Sequence, residues 1–187
     1  ILLMAVRFLF MPFMLMKDIG GTIDWEKRRK AVERLALFKV ILPVLLWVFW
    51  NYGYFRQNAI LHEAVFPGVI IYSIGDTVTY LLTLIVMADI QRPSANIIRS
   101  MIMLLVNYVE VSLGMAYLYF MHYKDVVFLE LNKAVQFGLL GRISENVKMN
   151  DWTDDAFLYT GVIIRFFFAS LVFGYFANHM KQRKFRS

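Results

Sequence analysis

The sequence predicts an all-α, polytopic membrane protein, and three observations carry that expectation. The chain of 187 residues is 59% hydrophobic and 17% aromatic with a positive mean hydropathy, more apolar than a water-soluble domain requires. Apolar runs occupy 36–55, 67–88, 100–123 and 157–179, each near the roughly 20 residues that a helix needs to cross a bilayer core. Lysine and arginine gather in alternate connections, as the positive-inside rule requires. Nothing outside these runs is long enough to fold around a core of its own, so 1–187 reads as a single membrane domain.

Taken in order, residues 1–16, ILLMAVRFLFMPFMLM, would make a helix of only about 24 Å. With Arg7 near its centre and Pro12 inside it, the stretch reads as interfacial or half-inserted, with a fifth span as the alternative. Residues 17–35 form a basic amphipathic segment in which Gly20 and Gly21 break the chain and helical periodicity runs from Trp25 to Lys39. Lys27, Arg28, Arg29, Lys30 and Arg34 place it in the cytoplasm. They fit either a topology signal that also touches anionic lipid or a docking surface for a soluble cytosolic partner.

Span 36–55 runs outward, with Pro43 expected to kink it and Trp47, Trp50, Tyr52 and Tyr54 crowding its outer end like an aromatic belt. Span 67–88 returns inward from Pro67, a residue allowed at a helix start, and carries Asp76 in its outer half. Arg92 and Arg99 keep the following turn cytoplasmic; Pro93 breaks the helix and Ser94 or Asn96 can cap the next one. Span 100–123, SMIMLLVNYVEVSLGMAYLYFMHY, holds Asn107 and Glu110 near its middle. The segment 124–156 is acidic and external, and VVFLELNKAVQFGLLGRI within it reads as a helix that lies at the interface or dips part way in. The last span, 157–179, contains Arg165, and the tail 180–187 brings Lys181, Arg183 and Lys184 back to the cytoplasm. Both termini are thus expected inside, in a multi-pass protein of the inner membrane.

Ionised groups at bilayer depth are costly and need a partner or a purpose. Counted from the outer ends at about 1.5 Å per residue, Asp76, Glu110 and Arg165 fall in one layer, so an Arg165–Glu110 pair is expected, with Asp76 as the competitor. Asn107, Glu110, Gly114 and Tyr117 follow one helical face that belongs against protein. Such a cluster fits a static strut fixing helix register, a water-filled ion path, or a proton-linked switch.

The chain has no cysteine, which excludes disulfides and thiolate chemistry. His62, His122 and His179 are too widely spaced to read as a metal ligand set. The net charge of +6 follows from the basic cytoplasmic segments and gives no reason to expect direct nucleic-acid binding. No residues form a recognisable catalytic set and none suggests a cofactor, so an enzyme is not expected. The internal repeat usual in secondary transporters is absent.

The run RSMIMLLVNYVEVSLGMAYLYF, an external segment with a short helix and a final aromatic span resemble the last two spans of bacterial two-span pore-loop potassium channels. That resemblance implies a tetramer around a central axis, but the corresponding stretch, AVQFGLLGRISENVKMNDW, lacks the filter motif of that family, leaving the carbonyls of Gly138 or Gly141 as candidate lining groups. In size, four spans and basic cytoplasmic surfaces at Lys27 to Arg34 and Lys181 to Arg186, the chain also resembles the membrane subunits of Kiwa anti-phage defence systems. That resemblance implies a homotetramer holding a soluble effector on the cytoplasmic side. Two functions are therefore expected to compete: an oligomeric sensor or scaffold in membrane lipid, and an ion channel with an unusual pore.

Overall fold

The computed structural model describes residues 25–51, 58, 60–86, 97–123, 131–143 and 152–184; among them there is no strand. Five α-helices follow in order: α1 (Trp25–Asn51), α2 (Phe66–Val86), α3 (Ile97–Tyr123), α4 (Leu131–Leu140) and α5 (Trp152–Lys184). The segment 1–24, with its expected interfacial stretch, and the connection carrying Arg92, Pro93, Ser94 and Asn96 lie outside the described residues.

Helix α3 is the hub of the fold, packing against each of the other four. Its sequence explains that position. Asn107, Glu110, Val111, Gly114, Met115, Tyr117 and Met121 line its buried side, while Ile102, Leu105 and Val109 recur at spacings of three and four on an exposed one. Gly114 lets α2 approach, since a Cβ there would lie 3.0 Å from Ile74 Cδ1 and 3.3 Å from Ile70 Cγ2.

The helices differ in extent from the apolar runs. Helix α1 runs unbroken from Trp25 through Pro43 to Asn51, so the basic segment and the span that follows form one rod of about 40 Å. Its buried face is Ala36, Lys39, Pro43 and Leu46, again at spacings of three and four, and its exposed face carries Leu37, Phe38, Ile41, Val44, Leu45 and Val48. Helix α2 begins before Pro67, through a π-helical turn at Leu61–Val65 in which the Phe66 N–H donates to the Leu61 carbonyl. The wider turn suits a proline that has no N–H to give to residue 63. Asn58 holds the start, its backbone carbonyl accepting from the Leu61 N–H at 3.1 Å. Helix α5 takes in five residues of the expected external segment and five of the basic tail. Asp154 and Asp155 in its first turn complement the positive end of the helix dipole.

Two stretches, Glu63–Leu82 and Arg99–Tyr123, are long and apolar enough to cross a membrane by length and composition. Less than half of either is buried. Large apolar side chains also stand outward on α5, among them Val162, Ile163 and Phe166. An apolar surface of that extent, continued over α1, α2, α3 and α5, suits lipid or another apolar partner and not water.

Candidate functional site: a buried charge cluster at the α1–α2–α3 junction

Three helices each contribute one charged residue to a single buried cluster: Lys39 from α1, Asp76 from α2 and Glu110 from α3, at 5%, 5% and 2% exposure. Lys39 lies on a stripe of Ala36, Pro43 and Leu46, and Glu110 on one that also carries Asn107, Gly114 and Tyr117, so the packing that buries each stripe carries the charge inward with it. The Lys39 ammonium pairs with Asp76 Oδ2, donates to Thr77 Oγ1 at 3.2 Å, and stands 3.9 Å from Glu110 Oε1. Glu110 is further bound by two hydroxyls one helical turn apart on α2. Ser73 donates to Oε1 at 2.9 Å, and the Thr77 oxygen lies 2.8 Å from Oε1 and 2.9 Å from Oε2. Thr77 thus bridges the lysine and the glutamate. The other oxygen of Asp76, Oδ1, is buried without a hydrogen-bond partner.

In water-poor surroundings a lysine between two carboxylates lowers the cost of all three, and the hydroxyls fill the remaining acceptor positions. The cluster therefore fixes the rotation and height of α1, α2 and α3 relative to one another. Asn107, one turn below Glu110 on α3, is also buried, as are Gly114 and Tyr117 on the same face.

The expected Arg165–Glu110 pair is replaced by this arrangement. Glu110 has Lys39, Ser73 and Thr77 as partners, while Arg165 Nη2 donates to the Phe137 carbonyl at 2.5 Å. The reason lies in α4, whose C-terminal carbonyls lack intrahelical partners and, away from water, need donors from elsewhere. The Phe137 carbonyl receives both Arg165 and the N–H of Gly141, at 2.8 Å and φ +73°, a left-handed cap that glycine adopts without strain. The Leu139 carbonyl accepts from the Tyr108 hydroxyl at 2.9 Å. Arg165 also lies over the Phe137 ring, 5.4 Å from its centroid. A cation at a helix C-terminus is electrostatically well placed, so Arg165 serves α4 and not Glu110.

The short helix accordingly packs along α3 from its Tyr123 end. Phe137 stacks on Tyr119 with centroids 4.1 Å apart, and the end of α4 reaches Tyr108, about 22 Å along α3 from Tyr123. Gly138 permits the approach: a Cβ there would sit 2.1 Å from the Ser112 carbonyl oxygen. Both glycines expected as candidate lining groups therefore have structural tasks, Gly138 in packing and Gly141 in capping.

Two further ties fasten the ends of α3. At one end Arg99 meets Glu33 of α1, with Nε and Nη2 each 2.8 Å from Oε1. At the other, buried Asp154 of α5 accepts from the Tyr123 hydroxyl at 2.6 Å and lies 3.0 Å from His122 Nε2. Among the described residues no three His, Asp or Glu side chains come together in a way that could hold a metal ion. Of the basic residues singled out in the sequence, Lys27, Arg28, Arg29, Lys30 and Arg34 lie in the first three turns of α1, and Lys181, Arg183 and Lys184 in the last turn of α5.

Sequence reasoning missed Lys39 and Asp154. Lys39 stands five residues past Arg34 and reads as a late member of the basic segment; the signal that separates it is its place on the Ala36–Lys39–Pro43–Leu46 stripe. Comparison with known protein families, curated proteins and solved structures returns no match for this chain.

Proposed function

We propose that the chain is a four-span scaffold of the inner membrane, with both termini cytoplasmic. In this reading it assembles with copies of itself, most simply as a tetramer, and holds a soluble effector protein on its basic inner surface. The spans are α1 from residue 36, α2, α3 and the apolar part of α5. Lys27, Arg28, Arg29, Lys30, Arg34, Arg92, Lys181, Arg183 and Lys184 would all face the cytoplasm. The observation that carries the reading is that the bundle's buried charges are engaged in contacts between helices. Lys39, Asp76 and Glu110 are consumed in holding three helices in register, and Arg165 in capping α4. A rigid bundle of that kind, with α1 running unbroken from the basic run into the charge cluster, suits a platform better than it suits turnover chemistry.

The anti-phage setting rests on the resemblance to Kiwa membrane subunits, and loss of phage protection on deletion of the gene in its host would be the supporting result. The docking surface is tested by purifying the protein from its native host in detergent. A soluble partner should be retained by the wild type and lost when Arg28, Arg29 and Lys30 are all changed to Glu. Retention by the folded triple variant overturns the reading, and native mass of the complex gives the stoichiometry.

A second reading, a channel-like protein, is favoured by α4, a half-length helix that dips along α3 between the last two long helices. Single-channel current in reconstituted bilayers that changes with Glu110→Gln would support it; silent bilayers with correctly assembled protein would remove it.

A further inference from the structure

Lys39, Asp76 and Glu110 supply two carboxylates and one ammonium to a volume almost closed to solvent. If both acids were ionised, the cluster would keep one uncompensated negative charge inside an apolar bundle, at a cost of several kcal/mol or more. Lys39 is the cation of both ion pairs described for the cluster. From α1 the facing charge is Lys39; from α2 it is Asp76, with the Tyr72 hydroxyl nearby; from α3 it is Glu110, with neutral Asn107 one turn away. On α5, Arg165 donates to the Phe137 carbonyl and Asp154 is bound to Tyr123 and His122.

The hydrogen-bond pattern also leaves a vacant place. Asp76 Oδ1 is buried with no donor, although Oδ2 of the same carboxylate is paired. Thr77 has one hydroxyl hydrogen but stands within 2.9 Å of both Glu110 oxygens, so it can donate to one of them alone. A charge deficit and an undonated acceptor in the same cluster have a common remedy.

We propose that this junction is a proton-binding site in which Asp76 and Glu110 share one exchangeable proton, balancing the single positive charge of Lys39. With the proton bound the cluster is neutral and the three helices are held together. With the proton released, the second carboxylate competes for Lys39, and the contact between α1 and the other two helices loosens. Because α1 is continuous from Trp25 to Asn51, movement at Lys39 reaches the basic run at its start. In this form the inference rests on the scaffold reading, for which it names the stimulus as proton availability at the membrane. The site itself stands without any partner.

Infrared spectroscopy of the full chain in lipid nanodiscs tests it, because a protonated carboxyl group absorbs apart from carboxylates and from the amide backbone. At neutral pH the wild type should show a buried protonated-carboxyl band that shifts in deuterated water and is titrated away at alkaline pH. Glu110→Gln and Asp76→Asn should each abolish the band, since either change leaves one acid balanced by Lys39. Lys39→Met should keep the band at neutral pH and enlarge it, toward about twice the wild-type intensity, as the pH is lowered, because the second acid then lacks a cation. The absence of any such band in the wild type overturns the proposal. So does a band that survives both acid substitutions. The wild-type titration decides the matter even if a variant fails to fold, and its outcome is independent of whether the triple charge reversal on α1 releases an effector.

Discussion

Removing the ammonium of Lys39 while keeping its stem isolates the role of the charge cluster, and Lys39→Met does this with little change in volume. The side chains of Lys39, Asp76 and Glu110 are 6%, 8% and 2% exposed, so solvent screens their interaction weakly. Breaking a buried ion pair by deleting one partner costs about 3–5 kcal/mol, because the other charge stays buried without compensation. In equilibrium terms that is roughly a hundred- to a few-thousand-fold loss of folded population. The measurement is reversible unfolding in mixed micelles of increasing denaturing detergent, followed by circular dichroism. Arg34→Met, at an exposed position of the same helix, is the control and should stay within roughly 0.5 kcal/mol of the wild type. The defect of Lys39→Met should shrink in acid, where Asp76 and Glu110 take up protons and no longer need the lysine, and addition of Asp76→Asn should recover part of it. A Lys39→Met protein within about 1 kcal/mol of wild type, with no dependence on pH, would refute the assignment of the cluster as the tie between α1, α2 and α3.

Four other substitutions probe separate contacts. Gly138→Ala places a Cβ 2.1 Å from the Ser112 carbonyl oxygen, which must push α4 off α3; a loss of about 1–3 kcal/mol or more is expected in the same unfolding assay. Arg165→Gln and Tyr108→Phe each strip a donor from the C-terminal carbonyls of α4, and each should lower stability by about 1–3 kcal/mol and raise amide hydrogen exchange in α4 selectively. Glu33→Gln removes the carboxylate that pairs with Arg99 at a part-exposed site, and should cost no more than about 1 kcal/mol, less at high salt.

The path of α3 was readable because its sequence carries its own evidence: a long apolar run with Asn107, Glu110, Gly114 and Tyr117 on one face can be buried only against protein. The proximity of Asp76 and Glu110 was likewise legible from depth alone. Which cation would join them was not, because counting residues fixes height along a helix and says little about direction around it. Arg165 matches Glu110 in depth yet turns toward α4, and what draws it there is a set of backbone carbonyls that no side-chain pattern reports. Lys39 was hidden for the opposite reason. It lies five residues beyond a basic run and shares its chemistry, while its burial depends on α1 continuing as a helix through the boundary between charged and apolar sequence. Gly138 and Gly141 drew notice as glycines, but their tasks appear only once the Ser112 carbonyl and the end of α4 are in place.

The position of Lys39 also bears on how the chain enters the membrane in the four-span reading. A lysine inside an inserting helix raises the free energy of leaving the translocation channel for lipid, by about 2.5–3.5 kcal/mol at the helix centre and by less near the end, where Lys39 lies in the span that starts at residue 36. Helix α1 emerges before the segments that carry Asp76, Ser73, Thr77 and Glu110 have been synthesised. It would then wait beside the channel or at the lipid headgroups until α2 and α3 arrive, and biogenesis of the bundle would proceed by joint release of three helices.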